Sequence, residues 1–173
     1  MAREISAGGL VVRPLKAGWE IAVIEPERAS APAPTAAKAK KPSHKMLLAL
    51  PKGLIDPGEA PQQTAMREVM EETGLRCIPI AKLGTIKYVY LRSWGDGQRV
   101  FKIVTFYLFR YESGEIDEIT DEMRIEVKRA LWIPLEDAAA RLAYRGERDM
   151  VHAAQKFLEA NPEACRDGAK TAH

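Results

Sequence analysis

The stretch "GLIDPGEAPQQTAMREVMEETGL", from Gly53 to Leu75, constrains this chain more than any other. Pro57-Gly58 marks a turn, Pro61 suits the first position of a helix, and Gly74 suits the position just past a helix end. Ala60 is a poor N-cap, so the start of the helix is less sharply marked than its end. Between these limits Ala65, Met66, Val69 and Met70 are spaced to make one apolar face. Glu68, Glu71 and Glu72 lie three and four residues apart and project together, on a face largely away from Met66, Val69 and Met70. Packing does not ask for this arrangement. Glu68 and Glu72 repel one another, and all three meet the negative end of the helix dipole, each effect costing a few tenths of a kcal/mol. A divalent cation reverses both signs. Clustered carboxylates with a backbone carbonyl are hard oxygen ligands suited to Mg²⁺ or Mn²⁺, and Mg²⁺ typically bridges to substrate phosphates. For three glutamates alone, a solvated acidic face is the competing reading.

The rest of the chain reads as strands first and helices last. Residues 4–13 and 19–25 form two strands joined by a Gly-containing turn. Residues 26–45 are rich in Pro, Ala and Lys without apolar periodicity and read as a long mobile loop. "MLLAL" (46–50) reads as a short buried strand stopped by Pro51. The segment 76–111 reads as a β meander of "CIPIAKLGTI", "KYVYLRS" and "RVFKIVTFYLFRY", with the turn "WGDGQ" (94–98) before its last strand. Residues 125–135 read as one more strand. "LEDAAARL" and "RDMVHAAQKFLEA" follow as helices, the second packing through Met150, Val151, Ala154, Phe157 and Leu158. The expected fold class is α+β, one layered domain over 1–162 with a frayed tail over 163–173.

Composition removes several classes of function. The 173 residues suit one domain with a sizeable core. Net charge is +2, which makes no bulk case for binding nucleic acid or membrane. Cys77 and Cys165 are too few for a disulfide framework, and the three histidines are scattered. The first residues lack a signal-peptide core, and no apolar run approaches the roughly 18 residues of a membrane span. The expectation is a cytoplasmic protein with a small-molecule partner, no membrane partner and an oligomeric state left open.

The spacing narrows the reading further. Gly53, Glu59, Arg67-Glu68-Val69, Glu71-Glu72 and Gly74-Leu75 match every fixed position of the Nudix box, a coincidence with a probability on the order of 10⁻⁷ in such a chain. Over roughly residues 3–160 the chain resembles the Nudix hydrolases. That resemblance implies a mixed sheet between helices, an α/β/α sandwich with a loop-helix-loop, and metal-dependent hydrolysis of a diphosphate linkage in a nucleotide. It implies that Glu68, Glu71, Glu72 and the Gly53 carbonyl bind the metal, Mg²⁺ or alternatively Mn²⁺. Arg67 would pair with a carboxylate, Glu59, to hold the loop against the helix, with Gly53 and Gly74 serving backbone shape. Glu68 and Glu126 are both candidates for the base.

"ALPKGLIDPGE", "SAGGLVVR" and "EVKRALWIPLEDA" resemble the diadenosine tetraphosphate and diphosphoinositol polyphosphate hydrolases. On that resemblance dinucleoside polyphosphates are the expected substrates, with Lys52 and Arg13 as phosphate contacts or solvated surface groups. Lys102 is the only charge in a mostly apolar run, so it either meets phosphate or snorkels to water. Tyr88 and Tyr90 alternate on one strand and are candidates to stack on a base, or are core. Two other functions stay open: a triphosphatase that removes damaged nucleotides, and a nucleotide-sensing domain without catalysis. Intact box carboxylates argue against the second.

Overall fold

The order of strands and helices expected from the sequence is largely what the chain adopts, seen in a computed structural model that describes residues 2–27, 47–92 and 97–166. Among these residues six strands are present: β1 (Ala2–Pro14), β2 (Trp19–Pro26), β3 (Lys52–Leu54), β4 (Arg76–Leu91), β5 (Arg99–Ser113) and β6 (Val127–Pro134). Three helices accompany them: α1 (Pro61–Thr73), α2 (Leu135–Arg141) and α3 (Arg145–Ala160). The sheet runs β4-β5-β1-β2-β6 with β3 on β1. The β1–β5 pairing is parallel and the others antiparallel, which makes the sheet mixed.

Strand β1 organises the site because it forks. Its Ser6, Ala7 and Gly8 pair with Leu54, Gly53 and Lys52, whereas Val12, Arg13 and Pro14 pair with β2. Successive side chains of a strand point to opposite faces. Ala7 and Val11 accordingly pack with Ala65 and Val69 of α1, while Leu10 and Val12 pack with Met150, Val151 and Ala154 of α3. The sheet thus lies between α1 on one face and α2 and α3 on the other, an α+β sandwich.

Several local expectations are corrected. "CIPIAKLGTI" and "KYVYLRS" are one strand, β4, whose irregularities are register shifts rather than a turn. Residues 48 and 49 make only isolated bridges, to Leu142 and Ile24, and the paired strand is β3 just beyond Pro51. On α1, Met70 is 41% exposed, while Thr64, Thr73 and Glu72 are buried beside Ala65 and Val69. Glu72 therefore does not share a solvated face; the β3 strip covers it. Past Pro162 the chain does not leave the fold at once, because Cys165 is fully buried and Ala164 packs on the core. The loop expected over 26–45 lies outside the described residues from Arg28 on, as do most of the 94–98 turn and the tail from residue 167.

Candidate active site

The site is built on the last two turns of α1. Pro61 opens the helix, the Ala60 N–H donates to Gln63 Oε1 at 3.0 Å, and Gly74 closes it at φ 83°. That left-handed conformation favours glycine, and it lets the Gly74 N–H reach the Met70 carbonyl at 2.9 Å. The second box glycine is required by contact instead. A Cβ on Gly53 would lie 2.1 Å from the Glu68 carboxylate, so a larger residue would turn the end of that side chain away from the strand.

Arg67 ties the motif together. Its Nε donates to Glu59 Oε2 at 2.8 Å and its Nη2 to Glu59 Oε1 at 2.9 Å, a bidentate pair. Nη2 also reaches the Leu54 carbonyl at 3.2 Å. Glu59 is held further by the Asp56 N–H at 3.0 Å and the Thr64 hydroxyl at 2.9 Å. The Arg67 hydrogen bonds, then the Asp56 N–H, keep the Glu59 carboxyl down at about 2. The expected pairing of Arg67 with Glu59 is thus present.

The three carboxylates are not equivalent. Glu72 is 6% exposed and accepts the Lys52 N–H at 2.7 Å. Burial, opposed by Lys52 and assisted by Glu68, pushes its carboxyl up to about 8. Burial and then repulsion from Glu71 push Glu68 up to about 7. Glu71 is the most exposed of the three. Glu126 ends the single helical turn Met123–Ile125, is exposed, and adds negative charge felt by both Glu68 and Glu72.

Among the described residues no three acidic, histidine or cysteine side chains are yet gathered around one point. Glu68 and Glu71 instead share a cation that the chain supplies, with Arg67 Nη1 at 2.9 Å and 3.2 Å from them. Two carboxylates converging on one positive charge, a third held against its own ionisation by burial, and an all-oxygen donor set together fit a hard divalent ion.

The other candidate residues divide. Lys52 is committed: its Nζ pairs with Glu147 Oε2 at 2.8 Å and lies 5.4 Å from the centre of the Tyr144 ring. Burial opposes its charge, but Glu147 outweighs that and raises its pKa. Arg13 is not brought to the site. It pairs with Glu20 and stacks on Trp132 at 4.0 Å, five residues along β1 from Gly8, or roughly 16 Å. Lys102 lies in one row with Glu4 and Tyr88 across three strands. Among the described residues it has no carboxylate within ion-pair distance, and burial followed by the charge of Lys52 lowers its pKa. Tyr90 donates its hydroxyl to Glu4, and Tyr88 lines a cleft of about 470 Å³ with Tyr144 and Glu147.

Sequence reasoning missed Glu147 and Tyr144. A signal for Glu147 exists, because it lies four residues before Val151 and falls on the apolar stripe of α3, where a carboxylate needs a partner.

The NUDIX domain profile matches residues 27–154. The chain belongs to the Nudix family. Nudix hydrolases generally use divalent metals. A putative mutator protein MutT4 of Mycobacterium tuberculosis is 42% identical over 115 residues, covering 66% of this chain and 44% of that protein. The chain thus spans less than half the length of that relative. An Ap4A hydrolase of C. elegans in a binary complex shares the fold with TM-score 0.60 at 19% identity, covering 91% of this chain and 98% of the other. A MutT protein of Methanosarcina mazei Go1 does so with TM-score 0.60 at 20% identity, covering 90% and 95%.

Proposed function

We propose that this protein is a pyrophosphohydrolase that breaks a diphosphate linkage in a nucleotide by attack of water on phosphorus. The observation that carries this reading is the convergence of Glu68 and Glu71 on Arg67 Nη1, at 2.9 Å and 3.2 Å, beside the buried Glu72 and with Gly53 packed against the Glu68 carboxylate. Glu68, Glu71, Glu72 and the Gly53 carbonyl would hold the ion, Mg²⁺ or Mn²⁺. Once bound it supplies charge neutralisation on the phosphate oxygens and an acidified water. Arg67 holds Glu59 and hence the loop against the helix. A new oxygen–phosphorus bond forms as the bridging oxygen–phosphorus bond breaks. The water proton goes to Glu68 or Glu126, and the leaving phosphate carries away the bond electrons.

The substrate class we favour is the dinucleoside polyphosphates. A long phosphate chain needs cations beyond the metal, and Lys102 is half-buried without an ion-pair partner among the described residues. Tyr88 and the cleft beside it suit a nucleoside. A second reading, a triphosphatase acting on damaged nucleotides, is favoured by the name of the mycobacterial relative and by a Bacillus subtilis protein called a putative 8-oxo-dGTP diphosphatase. Hydrolysis of a panel decides between them: dinucleoside tetraphosphates, ordinary and oxidised triphosphates, nucleotide sugars and inositol pyrophosphates, each with Mg²⁺ or Mn²⁺. The tetraphosphate should give the highest kcat/KM. An oxidised triphosphate in first place overturns the substrate class, and no turnover with any compound favours a nucleotide-sensing domain.

A further inference from the structure

Glu147 lies outside the Nudix box, yet both of its carboxylate oxygens are spent on the strip that leads into it. Its Oε1 accepts the Leu50 N–H at 2.7 Å, across 97 residues of sequence, and its Oε2 pairs with Lys52 Nζ at 2.8 Å. The Glu147 side chain is 1% exposed, so this charge has been taken out of water for these two contacts. Pro51, between the two anchored residues, has no N–H, and its carbonyl accepts the Gly9 N–H at 3.1 Å. From the other side, the Lys52 N–H donates to Glu72 Oε1 at 2.7 Å. Residues 50–52 are therefore clamped between α3 and α1, immediately before the Gly53 carbonyl. Strand β3 is only three residues long and holds this strip poorly by itself.

We propose that Glu147 is a positioning residue of the metal site. Through Leu50 and Lys52 it sets where the Gly53 carbonyl lies and how the Lys52 N–H orients Glu72, without itself being a metal ligand. The inference rests on the metal-site reading of Glu68, Glu71, Glu72 and Gly53. Residues that orient ligands typically govern metal affinity or activity by about 10- to 100-fold.

The test is Mn²⁺ binding to the free protein, followed by electron paramagnetic resonance of unbound Mn²⁺, with circular dichroism as the control for folding. Glu147→Gln keeps an acceptor for the Leu50 N–H but leaves the Lys52 ammonium without its partner charge. It should weaken Mn²⁺ about tenfold and lower kcat. Lys52→Met combined with Glu147→Gln removes both charges and keeps the acceptor, and should return Mn²⁺ affinity to within about threefold of the original. If Glu147→Gln does not fold, that double variant is compared with Lys52→Met/Glu147→Leu, which also removes the acceptor. The latter must then bind Mn²⁺ at least about fivefold more weakly. A folded Glu147→Gln protein with unchanged Mn²⁺ affinity, or equal affinity of the two double variants, overturns the proposal. Failure of the unmutated protein to bind Mn²⁺ overturns the metal-site reading instead.

Discussion

Arg67 and Lys52 both border the carboxylate cluster, and they are held in opposite ways. Arg67 lies near the surface, 28% exposed, and spreads its donors over Glu59, Glu68, Glu71 and a carbonyl within one continuous motif. Lys52 is 15% exposed and its Nζ has one carboxylate partner, Glu147, on an element distant in sequence. The first arrangement is redundant and screened by water. The second is a buried pair in which loss of either charge strands the other. A cation taken up by Glu68 and Glu71 would displace one donor of Arg67 while others remain, so the proposed metal site could exchange partners without losing the motif. The Lys52 pair has no such reserve and serves instead as a fixed reference for the strip before Gly53.

The largest effect is expected from the carboxylate that the two regions share. Glu72→Gln should lower kcat at least about a hundredfold at saturating Mg²⁺, because a lost metal ligand forfeits several kcal/mol of transition-state stabilisation. Its circular dichroism should match the parent. Retention of half the turnover would remove Glu72 from the metal site.

The comparison itself is broken most directly by Glu147→Leu against Glu59→Gln. The first leaves the largely buried Lys52 ammonium without a carboxylate partner and should cost about 3 kcal/mol of stability in urea unfolding. The second leaves Arg67 with Glu68, Glu71 and solvent, and its loss should be clearly smaller. Equal losses would mean that the two ion pairs do the same work.

Lys102→Met keeps the aliphatic length and removes the charge. Stability should hold or rise, since burial already disfavours that charge. kcat/KM for a dinucleoside tetraphosphate should fall about ten- to a hundredfold, and less for a nucleotide sugar. Equal losses on both substrates would detach Lys102 from the phosphate chain.

Smaller still is the response to pH. Glu68 and Glu72, pushed up to about 7 and about 8, bind protons in the metal-free fold that an unfolded glutamate, with a pKa of about 4.3, has released. Between about pH 4.3 and 8 the folded state therefore holds more protons than the unfolded one, and stability falls as pH rises. Glu59, held down at about 2, acts the other way: its contribution is present above the ordinary carboxylate range and is lost only in acid. In EDTA, Tm at pH 8 should lie a few degrees below Tm at pH 5.5, and Mn²⁺ at pH 8 should reverse most of the difference. A flat profile would contradict the burial argument. The least effect on activity is expected from Arg13→Met. It should leave kcat/KM unchanged and cost about 1 kcal/mol of stability through Glu20 and Trp132.

What could be read from the sequence was whatever is local. Pro61 and Gly74 bound α1 because φ restrictions act residue by residue, and both stand where expected. The Arg67–Glu59 pair was expected only from the resemblance of the motif to the Nudix box, and its partners, eight residues apart, do meet. Periodicity placed most strands and the stripe of α3, since side-chain direction repeats every two or 3.6 residues. Tertiary structure decided what periodicity leaves undefined. Glu72 and Met70 exchange their expected burial because β3 covers one side of α1 and not the other. Arg13 and Lys52, expected at the phosphates or solvated, are engaged otherwise: Arg13 by Glu20 on the next strand and by Trp132, and Lys52 by Glu147, with Trp132 and Glu147 both more than 90 residues away. A charged side chain in a fold is assigned by which counter-charge or ring lies within about 4 Å, and neighbours at that range across distant strands are set only when the sheet is assembled.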